Sequence, residues 1–279
     1  MTVSGRAMVA GVIGRPIGHS LSPRLHGAWI DALGLDALYA PFEPGEGGFA
    51  RLVGGLCAGG VRGVNVTLPF KEEALALADV RSEAAEAAGA ANLLLFRPDG
   101  RMEADNTDGV GLLQAFAEQA PAVDLTSGPV VILGAGGASR GALAALKGAS
   151  LGELRIVNRT VGRAEALAAQ FGGRAFGLDQ AAEAFAGAAA VIHSTSAGLA
   201  DTGSIDWPSE VLPAGAAVMD MVYKPLVTPL LAKAKEHGLT IVDGLAMLIG
   251  QARPSFEAFY GVAPPAEIDV RTGLLEALG

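Results

Sequence analysis

One cysteine, Cys57, stands among 279 residues. That excludes an internal disulfide framework and cysteine-rich zinc sites, and it fits a reducing compartment. Positive charge is scarce: 20 Lys plus Arg face 29 Asp plus Glu, a net charge of −9. No run of Lys or Arg interrupts that balance, so nucleic acid and anionic membrane surfaces are not expected partners. Long apolar runs are also missing, although the mean hydropathy is +0.39. The longest uncharged stretch, Ala184 to Ala200, reads AFAGAAAVIHSTSAGLA. It is built largely from small residues and falls short of the roughly 20 strongly apolar residues that a membrane span needs. The apolar piece Ala7–Ile13 is short and runs directly into Gly14-Arg15-Pro16, with no small-residue cleavage site. The four histidines, His19, His26, His193 and His237, lack ligand spacing, so no metal is expected. The expectation is a soluble cytoplasmic chain, monomeric by default with a dimer possible, because no large apolar surface stripe stands out.

What the chain has in quantity is glycine, 39 residues, and hydrophobic residues, 51%. At about 100–200 residues per domain, its length suggests two domains with ample core. Apolar runs of about five residues alternate with Ala/Leu-rich stretches, the pattern of an α/β protein with mostly parallel strands. In the first part, strands are expected at Met8–Ile13, Leu38–Phe42, Gly63–Thr67 and Ala91–Phe96. The last forms a hairpin with Met102–Asp105 across Pro98-Asp99-Gly100. One helix should start at Ser22-Pro23, with Ser22 as its cap, and another at Ser82, closed by Gly89. From Pro129 the rhythm becomes that of a doubly wound nucleotide-binding domain. Its expected strands are Val130–Leu133, Leu154–Val157, Arg174–Phe176, Ala189–His193, Ala216–Met219 and Thr240–Val242. Helices are expected to about Lys147 and over Val161–Phe171, then in the tail at Leu245–Tyr260 and Ile268–Leu278.

Gly134-Ala135-Gly136-Gly137-Ala138-Ser139 follows an apolar strand and opens a helix. Gly134 permits the tight turn, Gly136 lets a pyrophosphate approach the backbone, and the helix N-terminus offers N–H donors. Ser139 occupies the third position, which is more usually Gly or Ala. The next strand discriminates between cofactors. An NAD site places a carboxylate at its end to bond the ribose 2′-hydroxyl. Here the strand ends in Asn158-Arg159-Thr160, with Arg163 one turn on, which offers two guanidiniums to the 2′-phosphate of NADP.

Three polar clusters before residue 109 fall at expected strand ends: His19-Ser20-Leu21-Ser22, Asn65-Val66-Thr67 with Lys71, and Asn106-Thr107-Asp108. Asn92 lies in an expected strand between the last two. Convergence of such groups beside a dinucleotide domain points to a small-molecule site. The order G-x-P-x-x-H-S-x-S-P (from Gly14), N-V-T-x-P-x-K (from Asn65), N-T-D-G (from Asn106), G-A-G-G-A-S-R (from Gly134), N-R-T (from Asn158), D-M-V-Y (from Asp220) and D-G-x-x-M-L-x-x-Q-A (from Asp243) resembles the shikimate dehydrogenase family, from Gly14 to Ala252. The resemblance implies NADP-linked, reversible reduction of 3-dehydroshikimate to shikimate, a step of aromatic amino-acid and chorismate biosynthesis. Carried over by motif, Ser20 and Ser22 would bind the substrate carboxylate, while Thr67, Asn92 and Gln251 would bond ring hydroxyls and Tyr223 would approach the substrate. Lys71 and Asp108 would flank the reacting carbon as an acid–base pair. Met221 and Gly244 would join the glycine-rich turn at the cofactor.

Several residues depart from the family pattern. Gly27 follows His26 where Asn is common, Leu93 follows Asn92 where Thr is usual, and Lys224 and Val227 replace a frequent Asn and Glu. His193 stands where Asn is more frequent and is expected to line the cofactor cleft. None of these removes an expected catalytic residue. The alternatives are a quinate/shikimate dehydrogenase, a paralogue acting on a shikimate-like substrate, or a non-catalytic NADP sensor. The expected organisation is a discontinuous substrate domain, 1–107 plus 245–279, and an NADP-binding domain, 108–244. The chain would cross near Asp108 and Gly244, a layout suited to hinge closure.

Overall fold

The computed structural model describes residues 3–149, 151–195 and 207–278. Of the uncharged stretch Ala184–Ala200, residues 196–200 lie outside the described residues. No described helix is long and apolar enough to cross a membrane. The chain divides into two compact units, residues 1–107 with 251–279, and residues 108–250.

The first unit runs β1 (Met8–Ile13), α1 (Ser22–Leu33), β2 (Ala37–Phe42), α2 (Phe49–Ala58), β3 (Gly63–Val66), α3 (Lys71–Leu77), β4 (Val80–Arg81), α4 (Glu83–Ala88), β5 (Leu93–Phe96) and β6 (Met102–Asp105). Its sheet has the order β2-β1-β3-β5-β6-β4. It is mixed, because the β5–β6 hairpin enters antiparallel to β3. Two expectations need correction here. Asn92 sits one residue before β5, where it passes its backbone carbonyl to the N–H of Val66 at 2.8 Å. Ser22 does not cap α1: Leu21 occupies the cap, in helical geometry, and no side chain caps it. The Ser20 hydroxyl accepts from the Ser22 N–H at 3.3 Å, which ties the loop to the start of the helix. At α4, Ser82 does cap, accepting from Ala85 N at 3.1 Å, and Gly89 closes the helix with φ +60°.

The second unit runs α5 (Asp108–Gln119), β7 (Val130–Leu133), α6 (Gly137–Gly148), β8 (Leu154–Val157), α7 (Val161–Phe171), β9 (Arg174–Phe176), α8 (Ala181–Phe185), β10 (Ala190–His193), β11 (Ala217–Asp220), α9 (Pro229–Glu236), β12 (Thr240–Val242) and the start of α10 (Gly244–Tyr260). Its six strands are all parallel, in the order β12-β11-β10-β7-β8-β9. That is the doubly wound dinucleotide-binding order, with the chain reversing direction across β7. Alternate strand residues feed two cores. Val130, Ile132, Ala190, Ile192, Ala217 and Met219 pack with residues of α5, α6, α7 and α10. Val131, Leu133, Val191 and Val218 pack on α8, α9 and Trp207. Burial of both faces explains why these strands read as unbroken apolar runs.

Helix α10 continues from the second unit into the first, and α11 (Val270–Glu276) follows. The expected crossing at Gly244 therefore moves to Gly250–Gln251. Ala246 and Met247 belong to the core under α5 and α6, so the first two turns of the helix stay with the second unit.

One core residue of the first unit carries a pH signature. His26 is fully buried in α1, stacked on Tyr39 with ring centroids 3.9 Å apart. Among the described residues neither of its ring nitrogens has a hydrogen-bond partner. Burial pushes its pKa from 6.5 down to about 3, because the charged form would lose its hydration. Between those values the unfolded chain takes up a proton that the folded chain refuses. Stability is therefore intact above pH 6.5 and falls as the pH drops towards 3, by up to about 5 kcal/mol. Urea unfolding at pH 7, 5.5 and 4 should show this decline, and His26→Phe should flatten it. An equally steep decline in the variant would assign it to other groups.

Candidate active site

The polar clusters of the first unit meet at one end of its sheet. The ends of β1, β3 and β6, and the start of antiparallel β5, all lie there. Gly14, just past β1, gives its Cβ space to the Thr67 methyl group and Ile17. Arg15 N donates to Leu68 O at 3.1 Å, which ties the β1 and β3 exits together. The loop carrying Ser20 is held by Glu43, whose Oε2 accepts from Ile17 N at 2.9 Å. Lys71 opens α3, and its carbonyl accepts from Ala91 N at 2.8 Å, which sets it beside the Asn92 segment.

Asn92, Thr107 and Gln251 are joined directly. Thr107 N donates to Asn92 Oδ1 at 2.8 Å, which fixes the amide. Asn92 Nδ2 then reaches Thr107 Oγ1 at 3.0 Å and Gln251 Oε1 at 3.2 Å. Thr107 Oγ1 in turn donates to the Gln251 carbonyl at 3.0 Å. These bonds hold Gln251 with its amide oxygen towards Asn92 and its Nε2 on the other side. Asn65 braces the same group from below. Its Nδ2 donates to Asn92 O at 3.1 Å and Ser255 Oγ at 2.8 Å, and its Oδ1 accepts from the Tyr39 hydroxyl at 2.8 Å. Burial pushes the Tyr39 phenol well above its usual range, so it stays protonated. Asn65 and Thr107 lie inside motifs visible in the sequence. Tyr39 and Ser255 carry no sequence signal, because neither falls within a recognisable motif.

In the second unit the glycine-rich turn is shaped for an anion. Gly134 has φ +118°, and a Cβ there would come within 2.8 Å of Thr195 and 2.9 Å of Ser194. Gly136 caps α6 in extended geometry, and a Cβ there would meet no atom of the described residues within 4 Å. Open space in front of a helix N-terminus is what a pyrophosphate requires. Ala135 and Gly137 are half-buried along the turn, with Ala138 beside them at the start of α6. Ser139 differs from its expected role: its hydroxyl is fully buried, accepts from Gly136 N at 3.1 Å and lies 2.7 Å from Ser194 Oγ. It shapes the turn from inside.

Asn158 Nδ2 donates to Thr160 O at 2.9 Å, folding the β8 exit into a small loop. Arg159, Thr160 and Arg163 are exposed there, and the first turn of α7 holds no acidic residue. Two arginines at a helix start oppose the helix dipole unless an anion joins them. Gly244 lies against the Met221–Val222 backbone, where a Cβ would come within 2.6 Å of Met221 C. Tyr223 is half-buried just beyond β11, and Lys224 is exposed. Asp108 begins α5 and is buried, with its carboxylate in the first turn.

His193 does not line an open cleft. It is 3% exposed at the end of β10, with Nδ1 3.1 Å from Asp220 Oδ1 and Nε2 2.6 Å from Thr195 Oγ1. Asp220 also accepts from Val222 N and Thr228 Oγ1, so these groups form a buried brace under the strand ends. Among the described residues no cluster could hold a metal ion.

Residues 12–94 match the family model for the shikimate dehydrogenase substrate binding domain, and residues 116–200 match shikimate / quinate 5-dehydrogenase. The chain is 53% identical to the shikimate dehydrogenase (NADP(+)) of Caulobacter vibrioides, over 99% of this chain and 98% of that one. It belongs to the shikimate dehydrogenase family. Two solved structures are similar to it. Shikimate 5-dehydrogenase from Thermus thermophilus, in complex with NADP(H) and shikimate, superposes with a TM-score of 0.84 at 38% identity, covering 97% of this chain and 98% of that one. Quinate dehydrogenase from Corynebacterium glutamicum, in complex with NAD, gives a TM-score of 0.88 at 27% identity, covering 97% and 99%. Structures of this fold have thus been solved with NADP(H) and with NAD bound.

The two glycines differ in what their substitution does to stability. Gly136→Ala should leave the melting temperature within about 3 °C of wild type and weaken NADP binding at least about tenfold, because the methyl group takes phosphate space. Gly134→Ala should lower both stability and binding. Unimpaired NADP binding by Gly136→Ala, measured by calorimetry, would contradict the anion-site assignment.

Proposed function

We propose that the chain catalyses NADP-dependent, reversible reduction of 3-dehydroshikimate to shikimate. The observation that carries this reading is the joined Asn92–Thr107–Gln251 group at a sheet end that also carries Ser20, Ser22, Thr67 and Lys71. A polyhydroxylated ring acid needs amide and hydroxyl partners for its ring oxygens and donors for its carboxylate. In the proposed roles, Ser20 and Ser22 hold the carboxylate, and Thr67, Asn92 and Gln251 take the ring hydroxyls. Tyr223 approaches the substrate. Arg159 and Arg163, with Asn158 and Thr160, hold the 2′-phosphate, while Gly134 to Ser139, Met221 and Gly244 shape the dinucleotide site.

NADPH, when bound, supplies the hydride that reduces the ketone carbon. The ketone oxygen must gain a proton as that carbon is reduced, and Lys71 is assigned to hold it there. An ammonium can donate the proton or stabilise the developing alkoxide. Asp108 supplies the carboxylate of the acid–base pair. In the oxidative direction the same groups accept the hydroxyl proton of shikimate.

Two variants test the assignment. Lys71→Ala should lower kcat by about 10²–10⁴-fold, the usual range for a positioned acid–base group, with NADP affinity nearly unchanged. A large loss of NADP binding would contradict the role given to Lys71. Arg159→Ala should weaken NADP far more than NAD, and equal losses would remove the 2′-phosphate contact.

A further inference from the structure

Helix α5 ends at Gln119, and the side-chain amide of that residue meets Asp243, which immediately precedes α10. Asp243 N donates to Gln119 Oε1 at 2.9 Å, and Gln119 Nε2 donates to Asp243 Oδ2 at 3.0 Å. A backbone N–H only donates and a carboxylate only accepts, so the two bonds fix the Gln119 amide in one orientation. The other carboxylate oxygen, Oδ1, accepts from Ala246 N at 3.0 Å and so caps the first turn of α10. Asp243 is 9% exposed. With little water in reach, its polar groups depend on these protein partners, and an unpaired one is costly.

The residue after Asp243 has no room to shift. Gly244 lies against the backbone of Met221 and Val222, where a Cβ would come within 2.4 Å of Met221 O. Beyond it, Ala246 and Met247 of α10 share a core with Leu112, Ala115 and Phe116 of α5. At Gly250 a Cβ would lie 3.0 Å from Gly111 Cα, so the two helices approach closely there as well. Helix α10 is thus held against α5 at both ends of their contact, by hydrogen bonds at Asp243 and by shape at Gly250. Asp243 opens one of the motifs that carry the family resemblance, whereas Gln119 lies outside all of them.

We propose that Gln119 is a positioning residue of the dinucleotide site: through Asp243 it fixes the first turn of α10, and with it Gly244 against Met221. This rests on the reading that Met221 and Gly244 lie at the cofactor. Gln119 is assigned no contact with the dinucleotide and no part in hydride or proton transfer, so it acts only through Asp243. Removing its amide loosens the start of α10 before the cofactor arrives.

A reciprocal swap separates this from a general packing role. Binding of NADP⁺ is measured by calorimetry for wild type, Gln119→Glu, Asp243→Asn and the double variant, with melting temperatures as the folding check. Gln119→Glu sets two carboxylates face to face, and Asp243→Asn turns an amide donor towards either Gln119 Nε2 or Ala246 N. Each single change should weaken NADP⁺ binding about tenfold, the loss of one buried hydrogen bond. In the double variant the introduced carboxylate accepts from the backbone N–H and from the introduced amide, whose oxygen still accepts from Ala246 N. All three bonds return, and affinity should recover to within about threefold of wild type. Lower melting temperatures with unchanged NADP⁺ affinity in the single variants would overturn the proposal, as would a swap that fails to restore binding. Should Gln119→Glu fail to fold, Gln119→Leu removes both bonds without adding charge and is read by the same criterion. Met221→Ala tests the reading beneath: unchanged NADP⁺ affinity there would remove that reading, and the proposal with it. Weakened binding by Met221→Ala beside unchanged binding by Gln119→Glu would overturn the proposal alone.

Discussion

Three side chains, Asn92, Thr107 and Gln251, bear on everything else in this molecule. Thr107 is the last residue of the first unit before the chain leaves it, and Gln251 is the first residue on its return. Both are hydrogen bonded to each other and to Asn92. The points at which the chain leaves and re-enters the first unit, and the geometry of the candidate substrate site, are therefore held by the same few hydrogen bonds. A discontinuous unit pays loop-closure entropy for each return, and here that return is secured at the site itself.

The second unit solves a different problem with the same economy. Its parallel strands fill two apolar cores, which leaves the polar groups at the strand ends to be satisfied locally. Ser139 and Ser194 close the glycine-rich turn from inside. His193, Asp220, Thr195 and Thr228 brace the ends of β10 and β11. The outer face of the turn is left open in front of Gly136, and the β8 exit presents arginines with no acidic residue in the following turn. An anion-receptive surface thus stands on an internally satisfied scaffold.

Much of this was legible from residue order. The strands of the second unit are apolar, short and bounded by glycines, and Met8–Ile13, Val130–Leu133, Leu154–Val157 and Thr240–Val242 lie where the pattern places them. The helices Phe49–Ala58, Lys71–Leu77, Asp108–Gln119 and Pro229–Glu236 were not singled out, since short amphipathic helices between strong strand signals leave weak periodicity. Ser22 misled as a cap because a Ser-Pro pair fits both the cap and the first turn, and only the Ser20–Ser22 bond decides between them. The unit boundary shifted from Gly244 to Gly250 because a helix can serve two cores, which no local signal reports. His193 was expected to line the cofactor cleft, yet it is buried against Asp220 on the neighbouring strand, 27 residues away in sequence. Tyr39 and Ser255 were invisible for the same reason: their meaning lies in partners far along the chain.

The most direct test of the central claim is the rate of dihydronicotinamide formation by the purified protein, with shikimate or quinate crossed against NADP⁺ or NAD⁺. Turnover confined largely to shikimate with NADP⁺ is the expected result, and it would support both halves of the site at once. Preference for quinate or for NAD⁺ would contradict the specificity assigned to the Asn92–Thr107–Gln251 group or to the arginines at the β8 exit. No turnover with any pair, alongside measurable NADP binding, would contradict the catalytic account altogether and leave a dinucleotide-binding protein without the proposed reaction.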